Sequence, residues 1–194
     1  MLRAALVLAL LACAPRAEPV SPDRPAPPPP ALAGRTVMLI PAQPAPSPDV
    51  AAVPGLDADL AFFLAERAPR VRWMFPDRLE RALQNAPTLR VRLHELDVAA
   101  FHRARLDRIG EPLFSELHSL GVLLDAPLAL LPYAAGYVPS AGGGNGRVEV
   151  QVALIDVTDG DVLWIGAVAG DPGPPDAAAA TATAASALAA LLVR

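Results

Sequence analysis

Residues 147–168 read RVEVQVALIDVTDGDVLWIGAV. Val148, Val150, Val152 and Leu154 alternate with Arg147, Glu149 and Gln151, the period-two pattern of a strand with one apolar face. Val162, Trp164 and Val168 resume the alternation after Asp159-Gly160. An Asp-Gly pair between two alternating runs signals a hairpin, because glycine accepts the backbone conformation that a tight turn needs. The spacing predicts two antiparallel strands and makes the second half of the chain a sheet.

Working outward, Leu128 to Val138 (LALLPYAAGYV) is a long apolar strand whose Pro132 and Gly136 point to an edge position or a bulge. An exposed edge near Pro132 would be able to extend a sheet between copies. Tyr133 and Tyr137, four apart on a strand, are expected to share a face and to form a partner surface, whereas Trp73 and Trp164 are expected to plug the core. Thr36 to Ile40 (TVMLI) suits a short strand buried on both faces, and Val71 to Phe75 a second one.

Between them, Leu56 to Ala68 places Leu56, Leu60, Phe63 and Leu64 on one helical stripe, with Asp57 and Asp59 near the amino end and Arg67 near the carboxyl end, as the helix dipole prefers. Pro76 opens a helix that Pro87 stops. Val98 to Ile109 keeps rough helical spacing up to Gly110, and a further helix starts at Pro112 with the stripe Leu113, Phe114, Leu117, Leu120 and Gly121 as its cap. An alanine-rich helix over roughly 175–193 closes the chain. The expected fold is α/β, a two-layer sandwich in which helices cover one face of a mixed, mostly antiparallel sheet and the other face is partly polar, in the order β-α-β-α-α-β-β-β-α.

The amino-terminal third is organised differently. Arg3 precedes an uninterrupted apolar run from Ala4 to Ala12. Nine residues rise only ~14 Å as a helix, too little for a bilayer core of ~30 Å, so residues 1–12 are expected to be an export signal and not an anchor helix. From Ala14 to Ala33 the chain reads APRAEPVSPDRPAPPPPALA, an extended tether of polyproline type able to reach roughly 60 Å. The folded domain is expected to occupy residues 35–194.

Leu10-Leu11-Ala12 leads into Cys13, the single cysteine of the chain, and this stretch resembles the lipobox of bacterial lipoproteins. The resemblance implies cleavage between Ala12 and Cys13 and a diacylglycerol thioether on the Cys13 sulfur, so that residues 13–34 form a lipidated tether. A lone cysteine has no intramolecular disulfide to make, and a lipid cap removes a reactive thiol from an oxidising compartment. Ala14, in place of the aspartate that marks inner-membrane retention in enterobacterial lipoproteins, implies the outer membrane, facing the periplasm.

A second resemblance is to a fold group of bacterial envelope proteins that includes the amino-terminal domain of TolB, the curli secretion lipoprotein CsgG and penicillin-binding-protein activators such as LpoB. It rests on the element order, the opening Val37-Met38-Leu39-Ile40-Pro41 strand, and a hairpin of the pattern D-x-x-T-G-x-V-L-W, carried here by Asp156, Thr158, Asp159, Gly160 and Trp164. It spans residues 35 to 193, with no segment that matches the transmembrane hairpins of the curli pore.

Signals for chemistry are sparse. All 16 basic residues are arginines scattered along a chain of formal charge -4, which argues against a nucleic-acid partner. The glycine run 142–146 lacks a following Lys-Ser/Thr and leads into a strand, so it reads as a strand connection and not a phosphate loop. Asp156, Asp159 and Asp161 lack calcium-loop spacing, with Ala167 where the bidentate glutamate belongs. His94, His102 and His118 lie eight and sixteen apart, no serine sits in G-x-S-x-G, and Cys13 is spoken for. The acids Asp57, Asp59 and Glu111 are the candidates for a hydrolytic site. The expected function is therefore non-enzymatic and without cofactor or metal: a membrane-anchored lipoprotein whose domain binds an envelope protein, with a self-assembling envelope component, hence a homo-oligomer, as the alternative, and a soluble periplasmic protein as a further one.

Overall fold

The computed structural model describes residues 27–47, 50–51, 53–140, 144–175 and 178–193. Five strands form one sheet in the order β2-β1-β3-β4-β5. β1 (Thr36–Leu39) pairs in parallel with β2 (Arg72–Met74) on one side and with β3 (Leu128–Val138) on the other. β3, β4 (Arg147–Asp156) and β5 (Val162–Ala169) run antiparallel through longer ladders. The sheet is thus mixed and, by paired residues, mostly antiparallel, as the hairpin leads one to expect.

β1 explains why the flanking run is apolar at every position. Val37 and Leu39 enter one core while Met38 and Ile40 enter another, so both faces of the strand are buried. On the first face lie α1 (Leu56–Arg67), through Leu56, Leu60 and Leu64, and α5 (Ala178–Leu192), through Ala184, Ala185, Leu188 and Ala189. Alanines let α5 approach α1 closely, and the Thr181 hydroxyl donates to Asp59 of α1 across that contact. On the second face lie α2 (Pro76–Asn85), α3 (Ala99–Arg103) and α4 (Leu113–Leu124), through Leu79, Phe101, Leu117 and Leu120.

Helices therefore cover both faces, and the two layers expected become three. Arg147, Glu149 and Gln151 make the second face partly polar, but β4 turns apolar there at Ala153 and Ile155, which enter the same core as Leu117 and Leu120 of α4. The helix expected over 98–109 shrinks to five residues, and three helices stand between β2 and β3 where the expected order has two. α3 stops because the Val162 N–H donates to the Asp107 carbonyl and the Ile109 N–H to that of Gly160, drawing residues 107–109 out to the hairpin. Gly121 lies inside α4 instead of capping it, and Asp125 takes the left-handed cap position. A Cβ at Gly121 would stand 2.5 Å from the Val157 side chain, so the glycine lets α4 close onto the hairpin.

β3 is the third of five strands and not an edge. Pro132 belongs instead to a bulge, with a register shift between Pro132 and Ala134 that leaves Tyr133 as the extra residue. The outer side of this half of β3 is occupied by the chain after β1: Gln43 N–H donates to Pro132 O, Ala135 N–H to Gln43 O, and Ala51 and Tyr137 exchange backbone bonds. No edge is available at Pro132 for a second copy; the outer strands are β2 and β5.

Candidate functional site

The signature hairpin is built from its own side chains. Asp156 accepts the Thr158 N–H at 3.0 Å and Asp159 the Asp161 N–H at 3.2 Å, local side-chain bonds that shape the turn. Gly160 has φ 86°, the left-handed value that the Asp-Gly reading requires, and a Cβ there would also press on the Phe114 ring at 2.9 Å. Arg108 holds the outside of the turn, donating to the Asp159 carbonyl and lying 3.8 Å from the Asp161 carboxylate. His118 of α4 has Nδ1 2.9 Å from the Val157 carbonyl. The three aspartates are thus spent on the turn, and among the described residues no group of His, Cys, Asp and Glu is arranged for a metal ion.

Trp164 reaches beyond the hairpin. Its ring is buried in the first core and lies over Gly166, where a Cβ would come within 2.2 Å of it. Its indole N–H donates to the carbonyl of Pro27 at 2.7 Å. Five residues further on, Leu32 is only 4% exposed and belongs to the same core. Pro27 and Leu32 of the proline-rich segment are therefore fastened along the domain, ahead of Arg35. Leu32 is the single leucine between Cys13 and β1, and that isolated aliphatic residue was the available signal.

Tyr133 and Tyr137 do not form a surface. The bulge at Tyr133 reverses the alternation, so Tyr133 points into the second core and Tyr137 into the first, at 1% and 5% exposure. Tyr133 stacks on Phe101 with centroids 4.7 Å apart, and burial pushes its hydroxyl up to about 12. Tyr137 donates to Gly173 O at 2.7 Å and accepts from Gly146 N–H, tying together the segments that flank β4 and β5. Trp73 is half-buried against the first core and stacks with Phe75.

The candidate acids and histidines do not converge. Asp57 accepts the Ala42 N–H at 2.8 Å in a cleft of about 320 Å³ that His94 also lines, and burial holds its carboxyl above its ordinary range. Asp59 accepts from Thr181, and Glu111 accepts the Ser115 N–H on α4. His94 lies 3.5 Å from Glu80, His102 faces the Tyr133 ring, and His118 holds the hairpin. Burial lowers the His102 value, which favours its neutral form.

Gln43 is the polar residue that sequence reading passed over. At 1% exposure, its Nε2 donates to Pro41 O and Leu93 O, both at 2.8 Å, and its Oε1 accepts Leu96 N–H at 3.1 Å. It pins the loop between α2 and α3 to the chain leaving β1. Ala12 and Cys13 lie outside the described residues.

In fold the chain is similar to the PelC dodecamer from Paraburkholderia phytofirmans, at 20% identity over 88% of this chain and 97% of that one, with a TM-score of 0.43. It is similar also to lipoprotein GNA1162 from Neisseria meningitidis, at 14% identity over 79% and 94%, TM-score 0.47. The LpoB C-terminal domain from Salmonella enterica matches at 13% identity over 72% and 84%, TM-score 0.44, and LpoB is one of the proteins that the Asp156–Trp164 hairpin resembles. No family model matches the chain, and no curated protein does.

Proposed function

We propose that this chain is a lipoprotein of the bacterial envelope, anchored through Cys13 to the outer membrane, whose α/β domain is a non-enzymatic accessory module for an envelope protein. The observation that carries the reading is the junction of Leu10-Leu11-Ala12-Cys13, at the end of an apolar run, with a proline-rich segment whose far end is fastened to the domain at Pro27 and Leu32. Thirteen residues lie between Cys13 and Pro27. At ~3.1 Å per residue they reach about 40 Å, shorter than the whole proline-rich run would allow, and this sets the layer in which the partner is met. Two or more acyl chains are what stable anchoring requires.

The test is crosslinking in intact cells, wild type against Cys13→Ser, with mass spectrometry of the captured proteins and of the chain itself. The reading expects an acyl-modified amino terminus at Cys13 and one reproducible envelope protein whose capture weakens in Cys13→Ser. An unmodified Cys13, or a Cys13→Ser protein that stays in the membrane fraction, overturns the anchor; capture of copies of this chain alone overturns the accessory role in favour of self-assembly.

A further inference from the structure

Three arginines close in sequence, Arg67, Arg70 and Arg72, are joined by the distant Arg35 where β1 and β2 begin and α1 ends. The Arg72 N–H donates to Arg35 O at 2.9 Å, and the Arg70 carbonyl accepts from Gly34 N–H at 2.8 Å. Arg72 Nε donates to the Thr36 hydroxyl at 3.0 Å, and the Arg67 guanidinium lies 5.8 Å from the Phe63 ring centroid. All four residues are exposed, and among the described residues none forms an ion pair with a carboxylate. In a chain of net charge -4, this end of the domain is basic.

The same end holds a cavity of about 370 Å³, within the range of small-molecule sites, ~300–1,000 Å³. Arg67 and Arg70 line it together with Leu32, Val71, Leu192 and Val193, and no acidic side chain is among its lining residues. Val193 is 51% exposed, an apolar side chain left in solvent at the cavity wall. A guanidinium keeps its charge at every accessible pH and offers a planar fork of donors to a phosphate or carboxylate. The aliphatic walls favour a group that gives up water readily. Both requirements are met by one molecule only if it carries an anionic head and an alkyl tail.

We infer that this cavity binds a single-chain anionic amphiphile, an alkyl phosphate or alkyl carboxylate, with its head between Arg67 and Arg70 and its tail along Leu32, Leu192 and Val193. The inference stands on the geometry of the domain and is independent of lipidation. An acidic peptide would engage the arginines and leave the aliphatic wall in water, which the mixed lining disfavours.

The test is calorimetric titration of the full chain carrying Cys13→Ser, which keeps acyl chains of its own out of the measurement, with decyl phosphate below its micelle threshold, inorganic phosphate and decyl maltoside. The expected result is saturable binding of decyl phosphate, weakened about tenfold or more in Arg67→Ala/Arg70→Ala and in Val193→Asp, both changes at exposed positions. Thermal unfolding of each variant confirms that the fold is kept. Binding of inorganic phosphate as tight as that of decyl phosphate would reduce the site to a surface anion patch. Equal binding of decyl maltoside would reduce it to an apolar groove. Either result, no binding of decyl phosphate, or unchanged affinity in both folded variants overturns the inference.

Discussion

The indole N–H of Trp164 is held 2.7 Å from the carbonyl oxygen of Pro27, a bond that spans 137 positions of sequence and joins the β4–β5 hairpin to the proline-rich segment before β1. Replacing Trp164 by Phe keeps an aromatic ring over Gly166 but removes the donor. The expected cost is about 1 kcal/mol for the bond plus the smaller ring, read as a lower urea midpoint. Faster amide exchange at residues 31–35 should accompany it, because the segment from Pro27 to Leu32 loses its outermost fastening.

Tyr133 and Tyr137 should respond unequally to loss of the hydroxyl. Tyr137→Phe leaves the Gly173 carbonyl and the Gly146 N–H without their partner and should cost about 1–3 kcal/mol. Tyr133→Phe removes a hydroxyl whose ionisation burial opposes, and should cost less at neutral pH. With the folded value near 12 against an ordinary 10, the Tyr133 contribution is complete below pH 10 and lost as pH rises from there toward 12. Stability measured across that window should fall less steeply in Tyr133→Phe than in the wild type.

Gln43→Met keeps the approximate volume and removes every side-chain bond that ties the α2–α3 loop to the chain after β1. Two carbonyls and one N–H then lose their partner, and the expected loss is about 3 kcal/mol or more by chemical denaturation. A change within a few tenths of a kcal/mol would show that the loop is held by Leu93 and Leu96 alone.

Asp57→Asn tests the buried carboxyl. Burial raises the folded value above the ordinary 3.8, so the protonated form is the one the fold prefers. That contribution is present below pH 3.8 and is lost as pH rises through the folded value. Asparagine still accepts the Ala42 N–H and does not ionise. Its stability relative to the wild type should therefore improve between about pH 4 and pH 7, and a difference independent of pH would contradict the shift.

The strands and helices that carry the fold were legible because burial on a face leaves a period in the sequence. β3 and β4 end where the alternation and the prolines and glycines place them, and α1 and α2 run nearly as their stripes predict. Long-range events leave no such period. A single extra residue at Tyr133 inverted a face, and the pairing of Asp107 and Ile109 with the hairpin dissolved most of a helix. The polarity of Arg147, Glu149 and Gln151 concealed that helices cover the rest of that sheet face. Gln43 was invisible for the related reason that a glutamine after Pro-Ala looks like solvent-exposed loop until the partners fifty residues away are in place. Arg67, Arg70 and Arg72 lie close together in the sequence, but only the parallel pairing of β1 with β2 shows that Arg35 joins them.

The attachment of Pro27 and Leu32 also orders the contacts that a pull on the domain meets. Tension drawn through the amino-terminal segment meets the Trp164–Pro27 bond first, then the buried Leu32, and only afterwards β1, which is paired on both sides. A pull from the amino-terminal side is thus borne by one hydrogen bond and one buried leucine before it is borne by the sheet.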